Sequence, residues 1–444
     1  MVAPTARRPP SAGVRRDPLV TTVARPQNAD HGRFPVPRPD EAHWPGLATP
    51  PSAPAHARVA ELIFRRAVAP LPVRVVLPDG RVLGAGGKDA PVMNLVRPRA
   101  FFSRLGADAK IGFGEAYMTG DWTTGPDTDL ADLLAPFAGR MASLVHPLLQ
   151  RLRHVVERTQ PAHEENSPEN SRTNISRHYD LSNELFEQFL DETMTYSSAW
   201  FESGDSLADA QRRKMDGVLD LARVRAGMHV LEIGSGWGAL SIRAAAERGA
   251  HVTTLTLSSE QRKLAQERAA EAGVADLVDV RLQDYRDVTG EFDAIVSVEM
   301  IEAVGEKYWP TYFSALDTHL KPGGRVGLQS ITMPHDRMVA TRNAYTWIHK
   351  YVFPGGIIPS LRAIEENLAR TTLSIVESRD LGPHYARTLA LWRERFMANW
   401  GRLEGAFDET FRRMWEFYLA YCEAGFRAGA LGVSQLGLAR HPFA

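Results

Sequence analysis

The sequence predicts an α/β protein whose larger part is a doubly wound parallel sheet, preceded by a small α+β domain and a disordered amino-terminal tail. Three observations support this prediction: strand-like and helical runs alternate after Gly227, a glycine-rich turn follows the first of these strands, and the first 57 residues are rich in proline and arginine. Alternating strands and helices pack as a parallel sheet with helices on both faces, so this alternation determines the predicted fold class.

The composition is that of a globular protein and excludes several classes of function. Of the 444 residues, 44% are hydrophobic and 24% are charged, which excludes a wholly disordered, collagen-like or multi-span membrane protein. The net charge of -1 provides no overall basic field, so nucleic acid is not expected as a partner. Cys422 is the single cysteine of the sequence, which excludes an intrachain disulfide framework and fits a reducing cytoplasm.

Residues 1–57 are expected to form a disordered tail. This segment contains 12 of the 29 prolines and seven arginines but no lysine, a composition typical of solvated chain rather than of packed structure. The pairs Arg7-Arg8 and Arg15-Arg16 suggest an export signal, but no apolar stretch follows either pair. Export is therefore not expected.

A small α+β domain is predicted for residues 58–158. It begins with the helical run VAELIFRRAV and continues with two strand-like runs, VRVVLP and RVLGAG, around the turn Asp79-Gly80. Residues 141–158 have an apolar side and an arginine-bearing side; packing between domains is favoured over a helix at a membrane surface, and both interpretations stay open. The polar, aperiodic residues 159–174 are the predicted linker.

The doubly wound sheet is predicted from Gly227 onward, within a second domain of residues 175–444. Five strand-like runs alternate with helical runs in this region: HVLEIG, HVTTLTL, VDVRLQ, FDAIVSV and GRVGLQSIT. In such sheets ligands bind beyond the carboxyl ends of the strands. We therefore expect the functional residues in the turns that follow these runs.

The turn after the first strand, Gly234-Ser235-Gly236-Trp237-Gly238, allows backbone N–H groups to approach a ligand at the start of a helix. A dinucleotide site is disfavoured because the spacing is GxGxG rather than GxGxxG. It is also disfavoured because the second strand ends at Thr256-Leu257, without an acidic residue for a ribose. The turn alone does not identify the ligand.

Several longer motifs together resemble one enzyme family. VLEIGSGWG, TLTLSSEQ and LQDY resemble the S-adenosyl-L-methionine pocket of class I methyltransferases. Over about residues 170–430 the chain is similar to the cyclopropane fatty acid synthase family, through the motifs RHYDLSNELFEQFLDETMTYSSAWF, VSVEMIEAVG, YTWIHKYVFPGGIIPS and HYARTLALWRERF. The resemblance implies a class I methyltransferase, Rossmann-like fold whose excursions and carboxyl-terminal helices bind an acyl chain.

The resemblance places contacts with S-adenosyl-L-methionine on nine residues. Gln261 is suited to bond the ribose hydroxyls, and Asp284, after the third strand, is suited to accept a hydrogen bond from the adenine amine. The nine residues are Tyr196, Ser197, Gly234, Gly236, Gly238, Thr256, Leu257, Gln261 and Asp284.

The same resemblance places the catalytic group at Glu302, Gln329, Tyr385 and Ser198. In the family, residues of this kind hold a bicarbonate that accepts the proton released after methyl transfer. Gln329 stands where the family has a histidine, and Ser198 where a cysteine is common. A neutral amide captures an anion less firmly than a histidine that can be cationic, so the sequence leaves bicarbonate binding open.

The family reaction is methylation of a cis double bond in a phospholipid acyl chain, and three interpretations of this chain stay open. Conversion of oleoyl to 10-methylene-stearoyl is favoured, because LQSITMPHDRM and YTWIHKYVFPGGIIPS resemble the actinobacterial branch that makes this precursor of tuberculostearic acid. The second is formation of a cis-cyclopropane at the same double bond. The third is an inactive lipid-binding module, against which the glycine turn and Glu302 argue.

A phospholipid substrate implies a cytoplasmic protein bound peripherally to the inner face of the cell membrane, and no run approaches the roughly 18 apolar residues of a span. A reductase partner and a homodimer stay open. No metal is expected, because neither His178 nor His349 has a second ligand at a suitable spacing. Two or three aromatic residues are expected beside the reacting cation. The candidates are Tyr196, Trp200, Phe201, Tyr345, Trp347, Tyr351, Phe353 and Tyr385.

Overall fold

The computed structural model describes residues 37–140 and 182–441. Residues 1–36 of the predicted tail, the stretch 141–158 and the predicted linker 159–174 lie outside these ranges, as does His178. The described chain contains a four-stranded sheet and a seven-stranded sheet, with helices packed around both.

Residues 37–140 form a small sheet covered by helices, which is the predicted α+β arrangement. The elements are α1 (Pro54–Val68), β1 (Arg74–Val76), β2 (Val82–Leu83), β3 (Val92–Leu95), α2 (Pro98–Ala107), α3 (Ala109–Met118), β4 (Trp122–Thr124) and α4 (Leu130–Arg140). The strand order is β2-β1-β3-β4, in which only β1 and β3 are parallel. Pro54 and Pro98 begin α1 and α2, positions where a fixed φ and a missing N–H favour the helix.

The folded chain extends further toward the amino terminus than the predicted boundary at residue 57. Helix α1 begins at Pro54, and Leu47 before it is buried. The Leu47 carbonyl accepts a hydrogen bond of 2.7 Å from Arg104, and the Trp44 indole donates one of 2.8 Å to Asp408. The high proline content that predicted a tail here therefore belongs in part to a packed segment.

Residues 182–441 form the larger sheet and the helices around it. The strands are β5 (His229–Ile233), β6 (His251–Thr256), β7 (Val278–Leu282), β8 (Phe292–Val298), β9 (Leu320–Thr332), β10 (Leu373–Asp380) and β11 (Gly432–Arg440). The helices are α5 (Asn183–Phe189), α6 (Leu207–Leu221), α7 (Ala239–Arg248), α8 (Ser259–Glu271), α9 (Ile301–Val304), α10 (Trp309–His319), α11 (His335–Thr341), α12 (Trp347–Tyr351), α13 (Leu361–Leu368), α14 (Gly382–Asn399) and α15 (Glu409–Arg427).

The strand order β10-β11-β9-β8-β5-β6-β7 confirms the doubly wound fold but corrects the prediction that the sheet is wholly parallel. The five predicted strands are parallel, whereas β11 runs antiparallel to both β9 and β10. The last two strands were not predicted, because Gly432 and Gly437 with the polar pair Ser434-Gln435 interrupt the apolar pattern of β11. Strand β10 lies at the sheet edge, where Val376 is exposed.

Helix α15 joins the two sheet-bearing parts through buried contacts. It packs against α3, α4 and α14, and most of its length is buried. The Arg413 guanidinium donates to the carbonyls of Tyr117 and Trp122, and the Tyr117 hydroxyl donates 3.0 Å to Glu416. One continuous hydrophobic core therefore runs from the small sheet to the carboxyl-terminal helices.

The strand order reverses direction at β5, which lies between β6 and β8. Chains that leave β5 and β8 in opposite directions open a crevice beyond the carboxyl ends of these strands. The turns at this edge begin at Gly234 after β5 and at Glu299 after β8. This crevice is the candidate site.

Candidate functional site

A cavity of about 150 Å³ lies at the carboxyl ends of β5, β6, β7 and β8. Gly238, of the nine residues predicted to contact S-adenosyl-L-methionine, does not line it. The other eight do: Tyr196, Ser197, Gly234, Gly236, Thr256, Leu257, Gln261 and Asp284. Residues separated by up to 88 positions in the sequence are thus brought to one site by the sheet topology.

The glycine turn after β5 uses a left-handed backbone to open the cavity. Gly234 and Gly236 have φ values of +96° and +48°, which favour glycine. A Cβ added to Gly236 meets no atom within 4 Å, so the space beside this residue is open to a ligand. Gly238 instead caps α7. A Cβ built on it would lie 3.1 Å from the Cβ of Ala265, so Gly238 packs closely against α8.

The polar wall after β6 is ordered by hydrogen bonds within one turn. Thr256 Oγ1 donates 3.0 Å to Gln261 Oε1, and Ser258 caps α8 by accepting from the Gln261 N–H. These contacts hold the Gln261 amide in the cavity wall, where its prediction as a ligand for ribose hydroxyls remains open to test.

The carboxylate of Asp284 has a structural partner that the sequence did not predict. It accepts hydrogen bonds of 2.8 Å and 2.6 Å from the Arg286 guanidinium and one of 2.9 Å from the Arg286 N–H. Asp284 therefore caps a short 3-10 helix, Tyr285–Asp287, while lining the cavity. The expected contact with an adenine amine would share this carboxylate with Arg286.

The cavity is also lined by a buried lysine. Lys214 of α6 is 1% exposed, and its Nζ donates 2.5 Å to Ser197 Oγ. Burial lowers the pKa of Lys214 to about 8, while the nearby Glu299, Asp191 and Glu232 favour its charged form. Sequence analysis missed this residue because a lysine in an amphipathic helix normally lies on the solvated face.

A second missed residue, Glu232, lies within β5 one position before its end. Its carboxylate accepts a 2.6 Å hydrogen bond from Thr254 and lines the cavity. Burial raises the pKa of Glu232 to about 8. A charged residue inside a buried strand is rare, and that rarity is the signal in the sequence that could have identified Glu232.

Three of the four predicted catalytic residues converge on a residue that was not predicted, Glu299. Its Oε1 accepts from the Ser198 N–H at 2.9 Å and from Gln329 Nε2 at 2.9 Å. Its Oε2 accepts from the Tyr385 hydroxyl at 2.9 Å. Ser198 contributes through its backbone, since its hydroxyl donates to the Ala199 carbonyl instead.

Glu302, the fourth predicted catalytic residue, has other hydrogen-bond partners, and its catalytic role stays a prediction. Glu302 lies in the first turn of α9, where its Oε1 accepts from Ser330 Oγ at 3.0 Å and from the Ile331 N–H at 2.5 Å. Among the described residues it makes no hydrogen bond with Ser198, Gln329 or Tyr385. Like those three residues it does not line the cavity, and its buried Oε2 has no hydrogen-bond partner within the described ranges. The helical turn after Met300 directs this carboxylate toward the end of β9, whereas Glu299 directly follows β8.

The pKa of Glu302 predicts a pH-dependent stability. Burial, and then the charge of Glu299, raises the pKa of Glu302 from 4.5 to about 8. A carboxyl group with a raised pKa in the folded state stabilises the fold below its unfolded pKa, and this stabilisation is lost as pH rises through the folded pKa. As the pH is raised from 5 to 8.5, the melting temperature of the unmodified protein should decrease relative to that of Glu302→Gln.

The difference between the two melting temperatures is expected to change by about 2 °C or more over this range. Differential scanning calorimetry at several pH values measures it. The control is Glu306→Gln, which removes the carboxylate of a partly exposed ion pair with Arg342. Its melting temperature should change with pH as that of the unmodified protein does. A constant difference across the range would contradict the raised pKa.

The predicted aromatic residues separate into two groups. Trp347 and Tyr351 face the small sheet, where Trp347 packs on Phe417 and the Tyr351 hydroxyl donates to Glu115. Tyr196 and Tyr385 lie at the site: the hydroxyls of Tyr196 and Tyr418 are 2.6 Å apart, and the Tyr385 ring packs on those of Trp392 and Phe426.

The histidine considered as a ligand has a structural role. His349 Nδ1 bonds Thr346 in a capping box at the start of α12, and its Nε2 lies 2.9 Å from the Gly356 carbonyl. Within residues 37–140 and 182–441, no three metal-ligating side chains cluster. In the same ranges, no helix combines the length and the hydropathy needed to cross a bilayer.

Comparison with known proteins identifies relatives that match most of the chain. A family model described as mycolic acid cyclopropane synthetase matches residues 166–436. Tuberculostearic acid methyltransferase UfaA1 of Mycobacterium tuberculosis is 50% identical over 414 residues, which are 90% of this chain and 96% of that protein. Cyclopropane-fatty-acyl-phospholipid synthase of Escherichia coli is 36% identical over 79% of this chain and 88% of its own length.

A solved structure shares the fold and carries ligands. Mycolic acid cyclopropane synthase CmaA1, complexed with SAH and CTAB, is 31% identical and superposes with a TM-score of 0.56. The match covers 63% of this chain and 98% of that one. The small amino-terminal sheet and its helices lie outside residues 166–436, which the family model matches.

Proposed function

Because this chain belongs to the mycolic acid cyclopropane synthetase family, we propose that it methylates the cis double bond of an unsaturated acyl chain carried by a phospholipid. The favoured reaction converts an oleoyl chain to a 10-methylene-stearoyl chain. The protein is an S-adenosyl-L-methionine-dependent methyltransferase, in keeping with its relatives and the glycine turn at the switch point of its sheet.

One observation supports this proposal most strongly: a single cavity is lined both by the glycine turn and by the carboxylate of Glu299. Alkylation of a double bond needs a methyl donor and, after it, a base. An alkene is a weak nucleophile, so it must be held in line with the donor in a site from which water is excluded. The 50% identity to a protein named tuberculostearic acid methyltransferase supports the same substrate class.

The residues of the cavity fit S-adenosyl-L-methionine. The open space beside Gly236 allows a ligand to approach the backbone, and the Gln261 amide can bond hydroxyl groups. When bound, this molecule supplies an electrophilic methyl group and leaves as S-adenosylhomocysteine. We propose that Gly234, Gly236, Thr256 and Gln261 hold it.

The proposed chemistry explains the aromatic residues at the site. When the π electron pair of the alkene forms the new carbon–carbon bond, the neighbouring chain carbon becomes cationic. An aromatic face can stabilise such a cation by about 2 kcal/mol when water is excluded. Tyr196 lines the cavity and can serve in this way. Tyr418 is bonded to Tyr196, and Tyr385 is bonded to Glu299.

Two products can form from this cation, and both release a proton from the transferred carbon. In the cyclopropane, the C–H electron pair of that carbon closes onto the cationic carbon. In the methylene product, a hydride first moves from the methylated carbon to its cationic neighbour, and the C–H pair then forms the exocyclic double bond. The relationship to the Escherichia coli synthase makes the cyclopropane the second candidate product.

The test is the structure of the lipid product. The full chain is expressed in a bacterial host that lacks a cyclopropane synthase and is supplied with oleate. The two products are isomers, so proton NMR of the purified fatty acid methyl ester distinguishes them by exocyclic methylene or upfield ring signals. An exocyclic alkene is expected; a saturated ring would replace the favoured product with the second candidate, and unchanged oleate would reject the function.

Conversion of the methylene product to a methyl branch would require a hydride donor. The site described here is built for a methyl donor, so we propose that a separate reductase performs this step on the released product.

We also propose that α1 binds the membrane surface that holds the substrate. Val59, Leu62 and Ile63 are each 57% exposed, and their spacing places them on one face of α1. Arg58 and Arg66 are exposed beside them. Apolar side chains flanked by arginines are suited to the interface of a membrane that contains anionic phospholipid.

Replacement of these three apolar residues with serine should weaken vesicle binding by about tenfold or more, since each buried side chain contributes roughly 1 kcal/mol or more. Co-sedimentation with vesicles of dioleoylphosphatidylglycerol and dioleoylphosphatidylcholine measures the effect. Val376→Ser, which alters an exposed residue of β10, is the control and should bind normally. Equal binding by the triple variant would exclude α1 as the membrane contact.

A further inference from the structure

Glu299 has a backbone conformation that side chains rarely adopt. Its φ is +52°, and it follows directly after the last residue of β8. A left-handed conformation costs a residue other than glycine roughly 1 kcal/mol, and such strain is concentrated at functional sites. A glutamate retained at a position that favours glycine indicates that its side chain has a use.

The side chain occupies a cradle built for a carboxylate. The three donors come from three separate parts of the chain: the segment before α6 provides the Ser198 N–H, β9 provides Gln329, and α14 provides Tyr385. Gln329 is itself oriented by Gln435, whose amide donates 3.0 Å to Gln329 Oε1. The amide of Gln329 is thereby directed at Glu299.

This arrangement disagrees with the expected bicarbonate site. Ser198, Gln329 and Tyr385 were expected to hold an external anion, but each donates to Glu299 instead. A carboxylate and a bicarbonate ion present the same pair of anionic oxygens, so both cannot occupy one set of donors. The residues present therefore do not fit bicarbonate while Glu299 is in place.

Glu299 also reaches the reacting space. It lines the same cavity as Gly234 and Gly236, and part of its surface is accessible there. Its Oε1 accepts two hydrogen bonds and its Oε2 accepts one from Tyr385. A carboxylate oxygen has two lone pairs, so Oε2 has the capacity to accept a proton from a ligand in the cavity.

The charges around Glu299 suit a base. Removal from bulk water raises the pKa of Glu299, and the Lys214 ammonium, followed by the Ser198, Gln329 and Tyr385 donors, opposes this rise. A carboxylate with a raised pKa is a stronger base than one in water, and the compensating groups favour its ionised form.

We propose that the Glu299 carboxylate is the general base of the reaction and replaces an external anion. This inference rests on the proposed function. In the step, Oε2 takes a proton from the transferred carbon, and the C–H electron pair left behind forms the exocyclic double bond or closes the ring. Glu299 becomes a neutral carboxylic acid and returns its proton to solvent after the product leaves.

The first test is Glu299→Gln, which keeps the shape of the side chain but cannot accept the proton. S-adenosylhomocysteine binding by calorimetry should stay within about threefold of the unmodified protein, while lipid product should fall by 10²-fold or more, roughly the contribution of a general base. The matched control is Glu416→Gln, which also removes a carboxylate bonded to a tyrosine hydroxyl but lies at the Tyr117 contact, away from the cavity. It should retain product formation.

The second test removes the side chain and supplies the anion from solution. Glu299→Gly relieves the left-handed strain and leaves three donors without their carboxylate, so this variant should fold even if Glu299→Gln does not. In buffer depleted of carbon dioxide, with dioleoylphosphatidylglycerol vesicles, Glu299→Gly should be inactive. Formate or bicarbonate should restore product formation in a saturable manner, whereas the unmodified protein should need neither anion.

The outcomes separate this inference from the proposed function. If the unmodified protein forms no S-adenosylhomocysteine with unsaturated phospholipid, the proposed function fails. If it is active but loses activity on bicarbonate depletion, the base is external and the assignment of Glu299 is overturned. Retention of more than a tenth of the activity by Glu299→Gln, or failure of both anions to restore Glu299→Gly, overturns it as well.

Discussion

Lys214→Met is expected to abolish product formation and to lower the free energy of unfolding by about 3–5 kcal/mol, the cost of leaving a buried charge without its partner. Lys214 is 1% exposed, bonds Ser197 and lines the same cavity as Glu299 and Glu232, whose charges favour its ionised form. Methionine has a similar length and no charge. Without the ammonium group, the pKa values of Glu299 and Glu232 should rise further, and a protonated Glu299 cannot act as a base.

Denaturant unfolding measures the stability, and mass spectrometry of the lipid measures the product. The matched control is Lys321→Met, which removes a lysine paired with Asp293 at 2.8 Å in a half-exposed position. A pair of this kind contributes at most about 1 kcal/mol, so this variant should be nearly normal in both measurements. Normal turnover by Lys214→Met would show that the charge of Lys214 has no role in the reaction.

Gly236→Leu is expected to lower the affinity for S-adenosyl-L-methionine by about 100-fold or more, equivalent to a loss of about 2.7 kcal/mol of binding free energy. No atom lies within 4 Å of a Cβ built on this residue, so the new side chain enters the space in which the ligand is proposed to bind. The φ of +48° adds strain to the turn.

A matched control separates the effect of backbone strain from the effect of filling the ligand space. Gly273, after α8, has a φ of +70° and is equally open, but it lies away from the cavity. Gly273→Leu should lose similar stability and keep normal affinity in isothermal titration calorimetry. Equal affinities for the two variants would mean that the methyl donor does not bind beside the glycine turn.

The sequence predicted much of the fold because its signals were local. Five strand runs, the glycine turn and the polar residues after β6 and β7 could be identified from apolar patterns and turn residues. Strands β10 and β11 could not, because one lies at an exposed edge and the other contains two glycines and two polar residues. Both are strands because each has a partner strand: β11 pairs with β9, and β10 pairs with β11. This pairing depends on distant parts of the chain.

The site shows the same limit more clearly. Glu299 and Glu302 lie three residues apart, and the sequence offers no way to know which carboxylate turns toward Ser198, Gln329 and Tyr385. The choice depends on the left-handed backbone at Glu299 and on the helical turn that follows it. Lys214 was missed for a related reason: its helical position does not reveal that Glu232 and Glu299 line the same cavity.

The contacts of α15 have a consequence for how such an enzyme can be altered. The same helix carries Arg413, which holds the small sheet, and Tyr418, which lies against Tyr196 at the cavity. The amino-terminal part is thus no detachable module, because its removal would expose the helix that carries Tyr418.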